Sequence, residues 1–104
     1  MGFFSLFGIG NGKIKDAIRH GATIIDVRPA GEYDQGKIRK SLNIPIDRIE
    51  INLDRIRNMR KPIIVCSNSE SESEQAISLL KENGIHRTYN GGNWARLLKM
   101  IRSL

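Results

Sequence analysis

The one thiol of this chain, Cys66, ends an apolar run (Ile63, Ile64, Val65) and opens a polar one, Ser67-Asn68-Ser69-Glu70-Ser71-Glu72-Ser73-Glu74. A thiol becomes a nucleophile as its thiolate, which needs an electropositive setting. The setting here is acidic. Residues 67–80 hold Glu70, Glu72 and Glu74 and no Lys or Arg, so an approaching anion meets like charge and a thiolate is disfavoured. The same acids have a structural use, since carboxylates in the first helical turn complement the dipole and Ser71-x-x-Glu74 can form a capping box. A lone cysteine closes no intramolecular disulfide, and with only His20 and His86 beside it no zinc-ligand spacing exists. No metal or cofactor is implied.

A second pair able to do electrostatic work is Asp26 and Arg28, two residues apart at the end of another apolar run. A charge-assisted pair there ties neighbouring loops together. The elements that must position both sites follow from periodicity. Ile14, Ala17 and Ile18 put an apolar stripe on a short helix over Lys13–His20, which Gly21 stops. Ala22–Val27 and Ile63–Cys66 are nearly unbroken β-branched runs, as in strands buried on both faces of a parallel sheet, with Ile63–Cys66 at its centre. Leu42–Ile44 and Ile85–Tyr89 are further strands, and Asn90-Gly91-Gly92 is a turn. Helices are predicted over Asp47–Met59, with Asp47 as N-cap, over Gln75–Asn83, stopped by Gly84, and over Trp94–Leu104. Alternating helix and strand calls for an α/β fold with right-handed crossovers and helices on both faces. Ligands of such sheets bind beyond the carboxyl ends of the strands, so the loop to watch is Ser67–Glu74.

The chain has 104 residues, 39% hydrophobic and 27% charged, which fits one compact domain without staples. No apolar run is long enough for a membrane span, and Met1–Asn11 has neither a basic start nor a small-residue cleavage site, so no signal peptide is expected and the default setting is cytoplasmic. Residues 1–12 read as an apolar tail, with Phe3, Phe4, Leu6 and Phe7. The net charge is +6, but residues 13–61 carry twelve basic and seven acidic side chains and residues 62–104 five and four. The excess is spread without an aromatic-interleaved stripe, which speaks for solubility and against nucleic acid. Arg55, Arg57, Arg60 and Lys61 form the tightest cluster.

Ile25–Pro45 reads IDVRPAGEYDQGKIRKSLNIP, which resembles the first signature of the rhodanese-like (single-domain sulfurtransferase) family. Asp26, Arg28, Glu32, Tyr33, Gly36, Ile38, Asn43, Ile44 and Pro45 match; Lys37, Lys40 and Ser41 depart from it. Tyr89-Asn90-Gly91-Gly92-Asn93-Trp94 is similar to the family's late Y-x-G-G-x-x-x-W-like stretch. The resemblance, over 13–104, implies a three-layer fold with a mostly parallel sheet of about five strands.

It also implies an active-site loop whose cysteine carries persulfide sulfur. Counting back without gaps from Leu79, Leu80 and Gly84, the nucleophile position falls on Ser67, the loop glycine on Glu70 and the loop arginine on Glu72, with Asn68, Ser69, Ser71 and Ser73 between and after them. Cys66 comes one residue early, and side chains alternate along a strand, so it points to the opposite face, into the core. A C-x5-R phosphatase loop starting at Cys66 would meet Glu72 in place of arginine. A serine oxygen cannot replace a thiolate of near-neutral pKa. The reading is a binding or regulatory module with an unnamed protein partner or a small sulfur-containing substrate. Its alternatives are an active sulfurtransferase carrying a persulfide on Cys66 and a membrane-surface or nucleic-acid adaptor.

Overall fold

A computed structural model describes residues 12–104; of the expected tail over residues 1–12, residues 1–11 lie outside the described residues and residue 12 is already helical. Helix α1 (residues 12–19) buries Ile14 and Ala17. It is followed by strand β1 (Thr23–Asp26), helix α2 (Ala30–Gln35), strand β2 (Leu42–Asn43), two 3-10 turns (Ile46–Arg48 and Glu50–Asn52), helix α3 (Leu53–Arg57) and strand β3 (Ile63–Ser67). Helix α4 (Glu70–Glu82), strand β4 (Thr88–Asn93) and helix α5 (Trp94–Arg102) complete the chain.

The sheet order is β2-β1-β3-β4 with every pair parallel. All five residues of β3 are buried, as expected of an interior strand covered on both faces. Its alternation divides the core. Ile63 and Val65 join Ile56, Ala76, Ile77 and Leu80 of α3 and α4 on one face; Ile64 and Cys66 join Ile14, Ala17 and Leu97 of α1 and α5 on the other. The expected five strands are four among the described residues, because each apolar run yields one strand and none is left over for a fifth.

Three local expectations change. The single helix over Asp47–Met59 is two 3-10 turns and a five-residue helix. Asn52 leaves helical geometry at φ −109°, ψ 13°, and its side chain donates to the Arg48 carbonyl at 2.9 Å, a local bond that competes with the helical ladder. The three-residue step from Ile46 to Ile49 suits a 3-10 turn, where i and i+3 align. Asp47 caps nothing; Pro45 precedes the first turn without a side-chain bond.

The helix after β3 begins at Glu70, so most of the expected polar loop is helical. Ser69 is its N-cap, at φ −149°, ψ 163°, and accepts the Glu72 N–H at 3.2 Å. The cap thus lies two residues before the predicted Ser71–Glu74 box; Glu74 instead accepts from Asn90 Nδ2 at 3.3 Å.

The third change is in the last strand, which starts at Thr88, later than Ile85, and runs through the expected Asn90–Gly92 turn. Val65 pairs with Asn90 and Cys66 with Gly92, so the register slips by one residue between them. A Cβ on Gly91 would stand 2.8 Å from Ile64 Cγ2 and 3.1 Å from the Val65 carbonyl, so only glycine lets the bulged strand lie this close to β3.

Candidate active site

Strands β1, β2 and β3 end together, and a cleft of about 280 Å³ opens beyond them, lined by Pro29, Glu32, Ser67, Asn68, Glu72 and Gln75 among others. This is where an open parallel sheet places its ligands. Ser67 is the last residue of β3, only 3% exposed, and donates its hydroxyl to Glu72 Oε1 at 3.0 Å. Across the cleft Asn68 Nδ2 donates to Glu32 Oε1 at 2.7 Å. Two carboxylates therefore share the cleft, each held by a neutral donor.

At the end of β1, on the face of Cys66 and Trp94, the Asp26–Arg28 pair is fully enclosed. Arg28 Nη2 meets Asp26 Oδ2 at 2.7 Å and Nε meets both carboxylate oxygens at 3.0 Å, with exposures of 3% and 0%. The guanidinium also donates to the carbonyls of Glu32 and Gly36 and lies 4.2 Å from the Trp94 ring centroid. All of this fixes the α2 loop that carries Glu32. Gly36 has extended backbone, and a Cβ there would be 2.9 Å from Trp94 Cη2; close approach is what this position requires.

The remaining residues singled out from the sequence divide by face. Ser67, Asn68 and Glu72 meet in the cleft. Ser69 caps α4, and buried Ser73 donates to the carbonyls of Ser69 and Gly92. Glu70 and Ser71 are exposed in the first turn of α4 and do not line the cleft. Cys66 is 0% exposed beneath the opposite face, beside α1 and α5. Burial, reinforced by the Asp26 carboxylate and opposed by Arg28, pushes its thiol from 9.0 up to about 12. At neutral pH such a thiol holds on the order of one thiolate in 10⁵ molecules. Sequence reasoning missed Glu32 as a cleft residue. Its signal was topological, because the loop after the neighbouring parallel strand opens onto the same end of the sheet.

Among the described residues no group of three or more His, Cys, Asp or Glu side chains is placed to hold a metal, and no helix is long and apolar enough to cross a membrane.

The family model described as "Rhodanese-like domain" matches residues 11–94. This chain belongs to the rhodanese-like family. A protein named "Sulfurtransferase" from Allochromatium vinosum is 35% identical over 77 residues, covering 70% of this chain and 71% of that protein. The uncharacterized protein YqhL of Bacillus subtilis is 33% identical over 69 residues, covering 66% of this chain; the chain spans about half of YqhL, 54%. The structure titled "rhodanese with anions from E. coli" superposes with a TM-score of 0.64 at 25% identity, over 72% of this chain and 89% of that one. The rhodanese-like fold therefore accounts for the four parallel strands, the helices on both faces and the cleft at their carboxyl ends.

Proposed function

We propose that this rhodanese-like domain has lost ordinary thiosulfate sulfurtransferase activity and acts as a binding or regulatory module. The observation that carries this reading is the 3.0 Å hydrogen bond from the Ser67 hydroxyl to the Glu72 carboxylate. Counted without gaps from Leu79, Leu80 and Gly84, the family's persulfide-carrying cysteine position falls on Ser67 and its loop arginine on Glu72. Here a hydroxyl donates to a carboxylate, which reverses the electrostatic sense of the site. An alcohol has no accessible anion near neutral pH, and a thiosulfate dianion entering the cleft would face Glu32 and Glu72. The helix N-terminus that could favour an anion has its Glu72 N–H taken by Ser69 and carries acids in its first turn.

The partner is a protein or a small sulfur-containing compound that tolerates a carboxylate-lined cleft. The proposed setting is the cytoplasm, which suits a lone unpaired cysteine. A persulfide on Cys66 is the competing chemistry, and it requires the end of β3 to shift by one residue so that a 0% exposed side chain reaches solvent.

Incubating the native protein with thiosulfate, or with a persulfide donor, and weighing it by mass spectrometry tests the proposal. The expected result is no sulfur adduct on Cys66 and cyanide-dependent turnover equal to the no-enzyme rate. An adduct together with turnover that disappears in Cys66→Ala would overturn it.

A further inference from the structure

The opposite end of the sheet, where the strands begin, holds a second and larger cleft of about 380 Å³. Pro62 and Arg87 lie on its wall and also register the sheet there: the Pro62 carbonyl accepts the Thr23 N–H at 3.3 Å and the Arg87 carbonyl accepts the Ile63 N–H at 2.9 Å. Four cations from three distant stretches of chain converge on it, Lys13, Arg60, Lys61 and Arg87, against one carboxylate, Asp16. A charge excess that serves only solubility has no reason to gather in one concavity, where its members repel one another.

Two of the cations are anchored. The Arg60 guanidinium donates to the His20 carbonyl at 3.0 Å while its own carbonyl accepts from Thr23 Oγ1 at 2.8 Å. Lys61 Nζ donates to the carbonyls of Ile56 at 3.5 Å, Arg57 at 2.6 Å and Met59 at 2.9 Å, so it contributes charge and no free donor. Charges held in place by the fold need little further ordering when a ligand arrives. Arg87 is exposed and takes no part in either ion pair found among the described residues, Asp26–Arg28 and Asp54–Arg57. Its planar fork suits two oxygens of one tetrahedral anion.

We propose that this cleft binds a doubly charged phosphate group, either free or as the monoester of a small molecule. A phosphate monoester carries roughly −1.5 to −2 charge near pH 7 and three acceptor oxygens, which matches the Arg87 fork and the added positive charge of Lys13, Arg60 and Lys61 around the cleft. The cleft volume lies within the ~300–1,000 Å³ usual for small-molecule sites, so it has room for an organic body beside the phosphate. Tyr89, on the same wall, offers that body an apolar ring. The site lies at the far end of the sheet from Ser67 and does not depend on the reading of that cleft.

The test is an NMR amide titration of the whole chain with adenosine 5′-monophosphate, inorganic phosphate and adenosine, repeated on Arg87→Gln and on Arg48→Gln. The second variant removes an equal charge from an exposed residue that does not line this cleft. Saturable shifts at Gly21, Ile63 and Arg87 with the phosphate-bearing probes and none with adenosine are expected. Arg87→Gln should weaken binding about tenfold, as loss of charge-assisted bonds does, and Arg48→Gln by less than about twofold. Tighter binding of the nucleotide assigns the site to a phosphate ester; equal binding of inorganic phosphate assigns it to the free ion. No saturable shift with either phosphate probe, binding of adenosine as tight as that of its phosphate, or equal losses in the two variants would overturn the proposal.

Discussion

The two ends of this one parallel sheet carry opposite charge. At the carboxyl ends Glu32 and Glu72 line the cleft, each tied to a neutral donor, while the Asp26–Arg28 pair at the end of β1 cancels itself. At the amino ends Lys13, Arg60, Lys61 and Arg87 gather around a single acid. The backbone alone would favour anions at the first end, where a helix N-terminus faces the cleft. Side chains invert that preference there and gather cations at the other end, where Lys13 of α1 joins Arg60, Lys61 and Arg87. The fold supplies two concavities, and a few residues decide which sign each accepts.

The sharpest way to break this contrast is to remove the neutrality of the buried pair at this end of the sheet. Asp26→Ala strands the Arg28 guanidinium, 3% exposed and without its carboxylate. It should lower unfolding free energy by about 3–5 kcal/mol, read from a urea titration. Asp26→Asn, which keeps one acceptor oxygen for the guanidinium, should lose less. A loss below about 1 kcal/mol for Asp26→Ala would mean that water reaches Arg28 and that this end is not sealed.

A smaller effect is expected at the bulge, which shapes the acidic end and has no counterpart at the basic one. Gly91→Ala puts a methyl 2.8 Å from Ile64 Cγ2 and 3.1 Å from the Val65 carbonyl, for a cost of about 1–3 kcal/mol. An unchanged melting temperature would contradict the slipped register.

Cys66 separates the two faces of β3, and its burial can be read from pH. The native thiol sits at about 12 and the ordinary value is 9.0. Between these the unfolded chain releases a proton that the native state keeps, so the unfolded state binds fewer protons and stability falls as pH rises. Below about pH 8 the group contributes no slope. Relative to Cys66→Val, in which the other titrating groups cancel, the wild-type protein should lose up to about 1.4 kcal/mol per pH unit above pH 9. Parallel stability curves for the two proteins would show that the thiol is not desolvated.

Much of this was legible from residue order because it rests on local periodicity. The β-branched runs became β1 and β3, Gly84 follows α4, and period-two alternation separates Cys66 from Ser67. Asp26 and Arg28 are two residues apart, and their pairing needs only a strand end. What was not legible depends on distant partners. The glycines at 91 and 92 look like a turn until β3 is placed beside them. Asn52 interrupts a helical pattern that Ile49, Leu53 and Ile56 suggest. The basic cleft draws on positions 13, 60, 61 and 87, so a count of charge along the chain spreads out what the fold brings together. Glu32 joins the acidic cleft through Asn68, 36 positions away.

On the function proposed above, the acidic cleft lacks both the nucleophile and the sign that persulfide chemistry needs. Thiosulfate:cyanide turnover of the wild-type protein, Ser67→Cys and Ser67→Cys/Glu72→Arg tests it most directly. A thiolate at position 67 would stand near the Glu72 carboxylate, given the 3.0 Å contact of the present hydroxyl, so the single variant should be weak at best. Exchanging Glu72 for arginine changes the local charge by two units, about 2–4 kcal/mol at an effective dielectric near 20 before solvent screening. The predicted result is a wild type at the no-enzyme rate and a double variant about tenfold or more above the single one, with a lower thiol pKa. Equal turnover of the single and double variants would contradict the electrostatic half of the account, and wild-type turnover lost in Cys66→Ala would contradict all of it.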